Sequence, residues 1–170
     1  CAPALFGLYR NKPLASYGDY STLSFFSDKT ITTGEGGMIT TNDDQIGELV
    51  GMLRSHGASI SEEQRHHGSK PYLLPEFNHL GFNYRMTDLQ GAVGLAQLTQ
   101  LKRFIKERDC WANWYTQELS TIPWLRMPER PRDGVHAWQA FVTYIDPATA
   151  PMSRNHLMEQ LQESGISTRP

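Results

Sequence analysis

Over residues 88–119 apolar side chains return at helical spacing almost without a gap. Leu89, Ala92, Val93 and Ala96 open the stripe, and Leu98, Leu101, Ile105, Ala112, Tyr115 and Leu119 continue it. Thr87 is placed to cap its start. One unbroken helix over that span would run roughly 48 Å at 1.5 Å per residue. That exceeds a small domain, so the segment is expected to leave one domain and enter another, or to kink.

The flanking sequence reads as shorter elements. Residues 1–10 read as the tail of a helix. Residues 20–26 alternate as a strand, with Leu23 and Phe25 on one face. A loop carrying Lys29 and a glycine-rich turn, Gly34-Glu35-Gly36-Gly37, follows, and residues 38–41 read as a second short strand. Asp43 or Asp44 caps a helix whose face is Ile46, Leu49, Val50 and Leu53, and Gly57 is placed to end it. Residues 58–80 show no period, and a loop of that length in a compact domain is more often functional than idle. Pro123, Pro128 and Pro131 mark an irregular connection. Residues 136–145 then read as a strand, and Ser153 caps a helix with Leu157, Leu161 and Ser164 on one side and Gly165 as its stop. Ile166 would open the next strand, so the tail reads as a small β-α-β domain.

Composition narrows the class. The 170 residues suit one domain, or one and a part, and a hydrophobic fraction of 39% excludes a disordered chain. Sixteen basic against 18 acidic residues leave a net charge of -2, which disfavours a polyanion such as nucleic acid as partner. Two cysteines, Cys1 and Cys110, cannot by themselves build a disulfide framework or a zinc site. The adjacent His66 and His67 match no zinc spacing and read as solvated loop histidines. No apolar run approaches the roughly 20 residues of a membrane span. A cytoplasmic setting is the expectation. The chain begins at Cys1 in apolar sequence and stops at GISTRP, so it reads as an internal piece of a longer protein. The rival reading is processing that exposes Cys1 as an N-terminal nucleophile.

Two stretches could carry chemistry. In the first, SFFSDKTITTGEGG, Lys29 follows a strand end and two phenylalanines, a setting in which apolar surface would favour a neutral, carbonyl-capturing amine. Ser24, five residues earlier, has a hydroxyl suited to a phosphate oxygen. Spacing alone favours the plainer reading, a hairpin turn with a core strand. In the second, GFNYRMTD, Asn83 and Arg85 precede a helix N-terminus, where free N–H groups attract anions. The plainer alternative is that Thr87 and Asp88 only cap and charge-complement that helix. Trp111, Trp114 and Tyr115 are expected to pack the long helix.

Taken together, SFFSDKTITTGEGGM and, further on, LGFNYRMTDLQGAVGLAQL resemble the DegT/StrS-type sugar aminotransferase family, in particular its perosamine synthase-like members. The resemblance runs from CAPALFG to GISTRP. It implies an α/β fold: part of the pyridoxal-phosphate-dependent fold-type-I transferase, with a three-layer α/β/α large domain over residues 1–101. Residues 102–170 would hold the connecting helix and part of a small α+β C-terminal domain. It implies pyridoxal 5'-phosphate as cofactor, a nucleotide-linked 4-keto-6-deoxy sugar as substrate, glutamate as amino donor, and a homodimer with shared sites. A role in lipopolysaccharide or O-antigen biosynthesis goes with it.

By the same resemblance, the cofactor-holding lysine falls on Lys29, the phosphate-binding serine on Ser24, and the asparagine that reaches the cofactor phosphate of the partner subunit on Asn83. No metal is implied, and Arg85 receives no role. Two departures stand out. The acid expected against the pyridine nitrogen would precede Cys1. Pro3 occupies a position where many members have His or Gln, and its ring cannot donate a hydrogen bond. A non-catalytic family member, kept for assembly or sensing, is the competing class.

Overall fold

The computed structural model describes residues 4–170; Cys1 and Pro3 lie outside the described residues. An antiparallel hairpin comes first, β1 (Leu8–Tyr9) and β2 (Lys12–Pro13), rather than the expected helix tail. The cause is local. Arg10 and Asn11 both sit at positive φ (48° and 61°), the two-residue turn geometry whose twist matches a hairpin, and Phe6 is also left-handed. β1 pairs on its other edge with β6 (Gly134–Val135), so the first sheet has the order β2-β1-β6.

β3 (Tyr20–Ser24) and β4 (Gly37–Thr41) form the expected second hairpin, pairing Ser24 with Gly37 at its closed end. Beyond Ser24 the ladder gains one more bond, from Phe25 N to Gly36 O at 2.9 Å. As expected, Leu23 and Phe25 share a face: Phe25 is buried, and Leu23 packs on the same cluster.

α1 (Asp44–Arg54) starts at Asp43, whose carboxylate accepts from the amides of Gln45 and Ile46. The helix stops before Gly57, whose N–H donates to Met52 O at 2.8 Å. Within the stretch expected to be irregular lies α2 (Glu62–His67). Its capping box, Ser61 with Gln64, is an S-x-x-Q signal visible in the sequence, but with only six residues it has no room for an amphipathic period.

The expected long helix is two: α3 (Asp88–Leu98) and α4 (Leu101–Leu119), broken at Thr99 and Gln100. Thr99 turns its hydroxyl back to Ala96 O at 2.7 Å, and Gln100 N bonds to Gln97 O in a tighter turn. Leu101, Ile105 and Ala112 are buried as the stripe predicts. The apolar face read for α3 is not: Leu89 and Val93 are exposed, while Gln90, Gly94 and Gln97 face the chain. Trp111, Trp114 and Tyr115 likewise stay exposed, in edge-on contact with one another rather than packed inside.

β5 (Leu125–Arg126) pairs with β7 (Tyr144–Ile145). Residues 136–143 are not the expected strand, because the backbone bends sharply at Trp138, φ 49°. α5 (Arg154–Glu163) is capped by Ser153 and stopped by Gly165 at φ 80°, as expected. Residues 166–170 join no strand in the described structure.

The core cluster is Phe25, Ile31, Leu101, Ile105 and Ala137, with Leu5, Leu23, Met86 and Phe104 against it. It draws on the lysine hairpin, on α4 and on the turn after β6. None of the described helices is long and apolar enough to cross a membrane.

Candidate active site

The segment between β3 and β4 is a loop fastened to its own hairpin and to α3. Thr33 N donates to Phe25 O at 3.0 Å, and Thr32 Oγ1 donates to the same carbonyl at 3.0 Å. From α3, Gln97 Oε1 accepts the Thr32 amide at 2.9 Å and Gln90 Nε2 donates to Glu35 O at 2.8 Å. Gly94 completes the seam: a methyl there would meet Thr33 Cγ2 at 3.0 Å. These contacts explain why α3 turns its amide and glycine side inward. An extended loop presents unpaired backbone groups, and glutamine satisfies them where leucine could not.

Lys29 sits at the head of this loop. Its amide donates to Phe26 O at 3.1 Å, closing a turn, and its side chain is 23% exposed. The neighbour of the amine is a carboxylate rather than the apolar surface expected: Asp28 Oδ1 lies 2.9 Å from Nζ. Phe26, one of the two phenylalanines, is exposed. The Lys29 hydrogen bond, with the charges of Lys29 and Arg169, holds the Asp28 carboxyl below its ordinary value against partial desolvation.

Ser24 ends β3 on the same hairpin. Its oxygen accepts only a long bond, 3.4 Å, from Phe26 N, and its hydroxyl proton meets no acceptor among the described residues. Ser24 and Lys29 are thus brought into one hairpin head. Asn83 belongs to a different assembly. The 82–84 stretch runs along the end of α1, with Phe82 N to Leu53 O at 2.7 Å, His56 N to Phe82 O at 2.8 Å and Tyr84 N to Arg54 O at 3.0 Å. Asn83 pairs with Ser55 in a short antiparallel bridge. Among the described residues no hydrogen bond joins Asn83 to Ser24 or Lys29. Thr87 caps α3 as expected, and it forms a reciprocal capping box with Gln90.

Two residues near Lys29 carry no mark in the sequence. Gln139 Nε2 donates to the main-chain carbonyl of Asp28 at 2.5 Å, and Arg169 Nη1 stands 3.4 Å from Asp28 Oδ2. They lie 111 and 141 residues from Asp28 along the chain, too far for any local pattern to connect them. Thr30 Oγ1 and Gln139 Oε1 are buried beside this turn with no hydrogen-bond partner among the described residues. A depression of about 430 Å³ lies between α1 and α2, lined by Arg54, Ser55, Ser59 and Ser61 among others, and contains none of Ser24, Lys29 and Asn83.

The fold recurs in solved structures. An aminotransferase, TlmJ, from Streptoalloteichus hindustanus superposes with a TM-score of 0.85 at 24% identity, over 100% of this chain and 43% of its own. The E. coli GDP-4-keto-6-deoxy-D-mannose-3-dehydratase with bound hydrated pyridoxal phosphate gives 0.81 at 27% identity, over 97% and 43%. The chain therefore carries part of the fold of the pyridoxal-phosphate-dependent sugar aminotransferases. It belongs to the DegT/DnrJ/EryC1/StrS aminotransferase family, whose model matches residues 1–170. The GDP-perosamine synthase of Caulobacter vibrioides is 35% identical over 170 residues, 99% of this chain and 43% of that protein. The chain thus spans less than half the length of the curated relatives it matches.

Proposed function

We propose that the protein to which this chain belongs is a pyridoxal-phosphate-dependent aminotransferase that aminates a nucleotide-linked 4-keto-6-deoxy sugar, with glutamate as donor. The observation that carries this reading is the hairpin head. It presents a partly exposed amine and, five residues before it, a hydroxyl whose proton meets no acceptor among the described residues, beside a loop held from two sides. Those groups fit the cofactor: an amine for its aldehyde and a donor for its phosphate. When bound, the cofactor acts as an electron sink for the amino-bearing carbon.

Lys29 would hold the cofactor, and its freed amine would serve as the base that moves the proton at the donor's α-carbon. Ser24 anchors the phosphate by donating its hydroxyl proton. Asn83 serves the site of the partner subunit in a homodimer, and its place on the α1 edge, with no hydrogen bond to Lys29 among the described residues, supports that role. The break before Leu101 supports a domain division at residue 101. The GDP-perosamine synthase relative favours a guanine nucleotide sugar, and a cytoplasmic role in lipopolysaccharide or O-antigen synthesis goes with the family reading.

The test is Lys29→Ala in the full-length protein. The wild type should gain a visible absorption band with pyridoxal phosphate, lost on borohydride, and should aminate a nucleotide keto-sugar. The variant should lose both with its circular dichroism unchanged. Turnover by the variant at a near wild-type rate would remove Lys29 from the reaction.

A further inference from the structure

Three segments far apart in sequence converge on Asp28. Its Oδ1 holds Lys29 Nζ at 2.9 Å, its Oδ2 faces Arg169 Nη1 at 3.4 Å, and its carbonyl accepts from Gln139 at 2.5 Å. The turn closed by Lys29 N and Phe26 O is what lets neighbouring side chains meet, since in an extended strand they would point to opposite faces.

Gln139 is not a loose surface contact. Arg108 Nη1 holds Trp138 O at 2.8 Å and Gln139 O at 3.2 Å, and Trp138 N is tied to His136 Nδ1 at 2.8 Å. The Trp138 ring beneath is only 3% exposed. The main chain of Asp28 is therefore fixed from outside its own hairpin, while its carboxylate is left to the two cations that face it, Lys29 and Arg169.

We propose that Asp28 is a positioning residue for Lys29: its carboxylate holds the Lys29 side chain at the hairpin head whenever the amine is not covalently engaged. Arg169 sets the strength of that hold by competing for the same carboxylate. A carboxylate carries one charge, so a second cation on Oδ2 weakens its grip on the first. The segment carrying Arg169 thereby regulates how readily Lys29 reacts. This inference rests on the proposed role of Lys29.

The test needs no cofactor. In the full-length protein without pyridoxal phosphate, acetic anhydride acylates the neutral amine and releases acetate, and the Lys29 peptide is followed by mass spectrometry at one neutral pH. The pair is solvent-screened, so Asp28→Asn should label only about two- to five-fold faster and Arg169→Ala slower by a similar factor. Asp28→Glu, which keeps the charge, should stay near the wild type. In an Asp28→Asn background the Arg169→Ala effect should vanish, because its only route is the carboxylate. Added salt should speed labelling of the wild type and not of Asp28→Asn, a comparison that holds even if Arg169→Ala folds poorly. An unchanged or slower rate in Asp28→Asn would overturn the proposal, as would an Arg169→Ala effect that persists without the carboxylate. Failure of the Lys29 role itself reads out separately, as a cofactor band that survives Lys29→Ala.

Discussion

Trp138 donates its indole N–H to the Asp109 carboxylate on α4 at 2.8 Å, and does so from a left-handed backbone conformation, φ 49°. A bulky residue in that conformation is strained, and it persists only where its surroundings hold it. Here they do. Arg130 Nη1 shares Asp109 Oδ1 at 2.8 Å, its guanidinium lies 5.1 Å above the indole, and His136 packs on the ring at 4.1 Å. This node bends residues 136–143 out of the expected strand and aims Gln139 at the lysine hairpin.

Asp109→Ala should destabilise the protein by about 1–3 kcal/mol, because it leaves the buried indole N–H without an acceptor. Urea unfolding monitored by tryptophan fluorescence checks this. An unchanged midpoint would mean that the bend at Trp138 is held by other contacts.

The same node gives a pH dependence. Partial burial first, and Arg130 second, push the His136 imidazole below its ordinary 6.5, with Asp109 pulling the other way. Its Nδ1 must be unprotonated to accept from Trp138 N. The folded value is the lower one, so the contribution is present above 6.5 and is lost as pH falls through the folded value. The carboxyls of Asp28, Asp109 and Asp146 lie below their ordinary 3.8, so their contributions are lost only at more acid pH. Melting temperature should therefore fall in two steps on acidification. His136→Asn, which keeps an acceptor near the amide, should remove the first step; a first step that survives would assign it elsewhere.

Gly57→Ala should be among the most damaging single methyl additions. Gly57 has φ 77°, and a Cβ there would run into the carbonyl of His79. The 79–84 stretch would have to move off α1, taking Asn83 with it. The expected loss is about 1 kcal/mol from conformation alone, plus the clash. Thermal unfolding measures it, and a wild-type melting temperature would show that the two backbones are not in contact.

Ser24→Ala should weaken pyridoxal phosphate binding by about 1.5–3 kcal/mol, or roughly 10- to 150-fold, the worth of a hydrogen bond to a charged group. Cofactor titration of the full-length protein decides it. An unchanged dissociation constant would take Ser24 out of the phosphate site.

For Asn83, subunit exchange is the discriminating experiment. A Lys29→Ala protein mixed with an Asn83→Ala protein should regain activity, up to half that of a wild-type dimer. In the mixed dimer one site carries both lesions and the other carries neither. No recovery, with exchange confirmed by mass, would put both residues in one subunit's site.

The sequence by itself determined the elements whose signals are local. Asp43, Thr87 and Ser153 cap their helices because a short oxygen side chain at a helix start serves the free amides wherever it occurs. The β3–β4 hairpin, the buried stripe of α4 and the placement of Ser24 and Lys29 on one hairpin were legible for the same reason. The motifs carried the family as well. Tertiary structure alone decided the rest. The inward side of α3 is its glutamine and glycine side because the loop beside it needs backbone hydrogen bonds, and no hydrophobic period records that need. Residues 136–143 bend because Arg108, Asp109 and Arg130, distant in sequence, hold Trp138 in a conformation that its own propensity disfavours. Asp28 acquires its second cation from Arg169 because the folded chain returns there, and a contact closed over 141 residues leaves no trace in either local sequence.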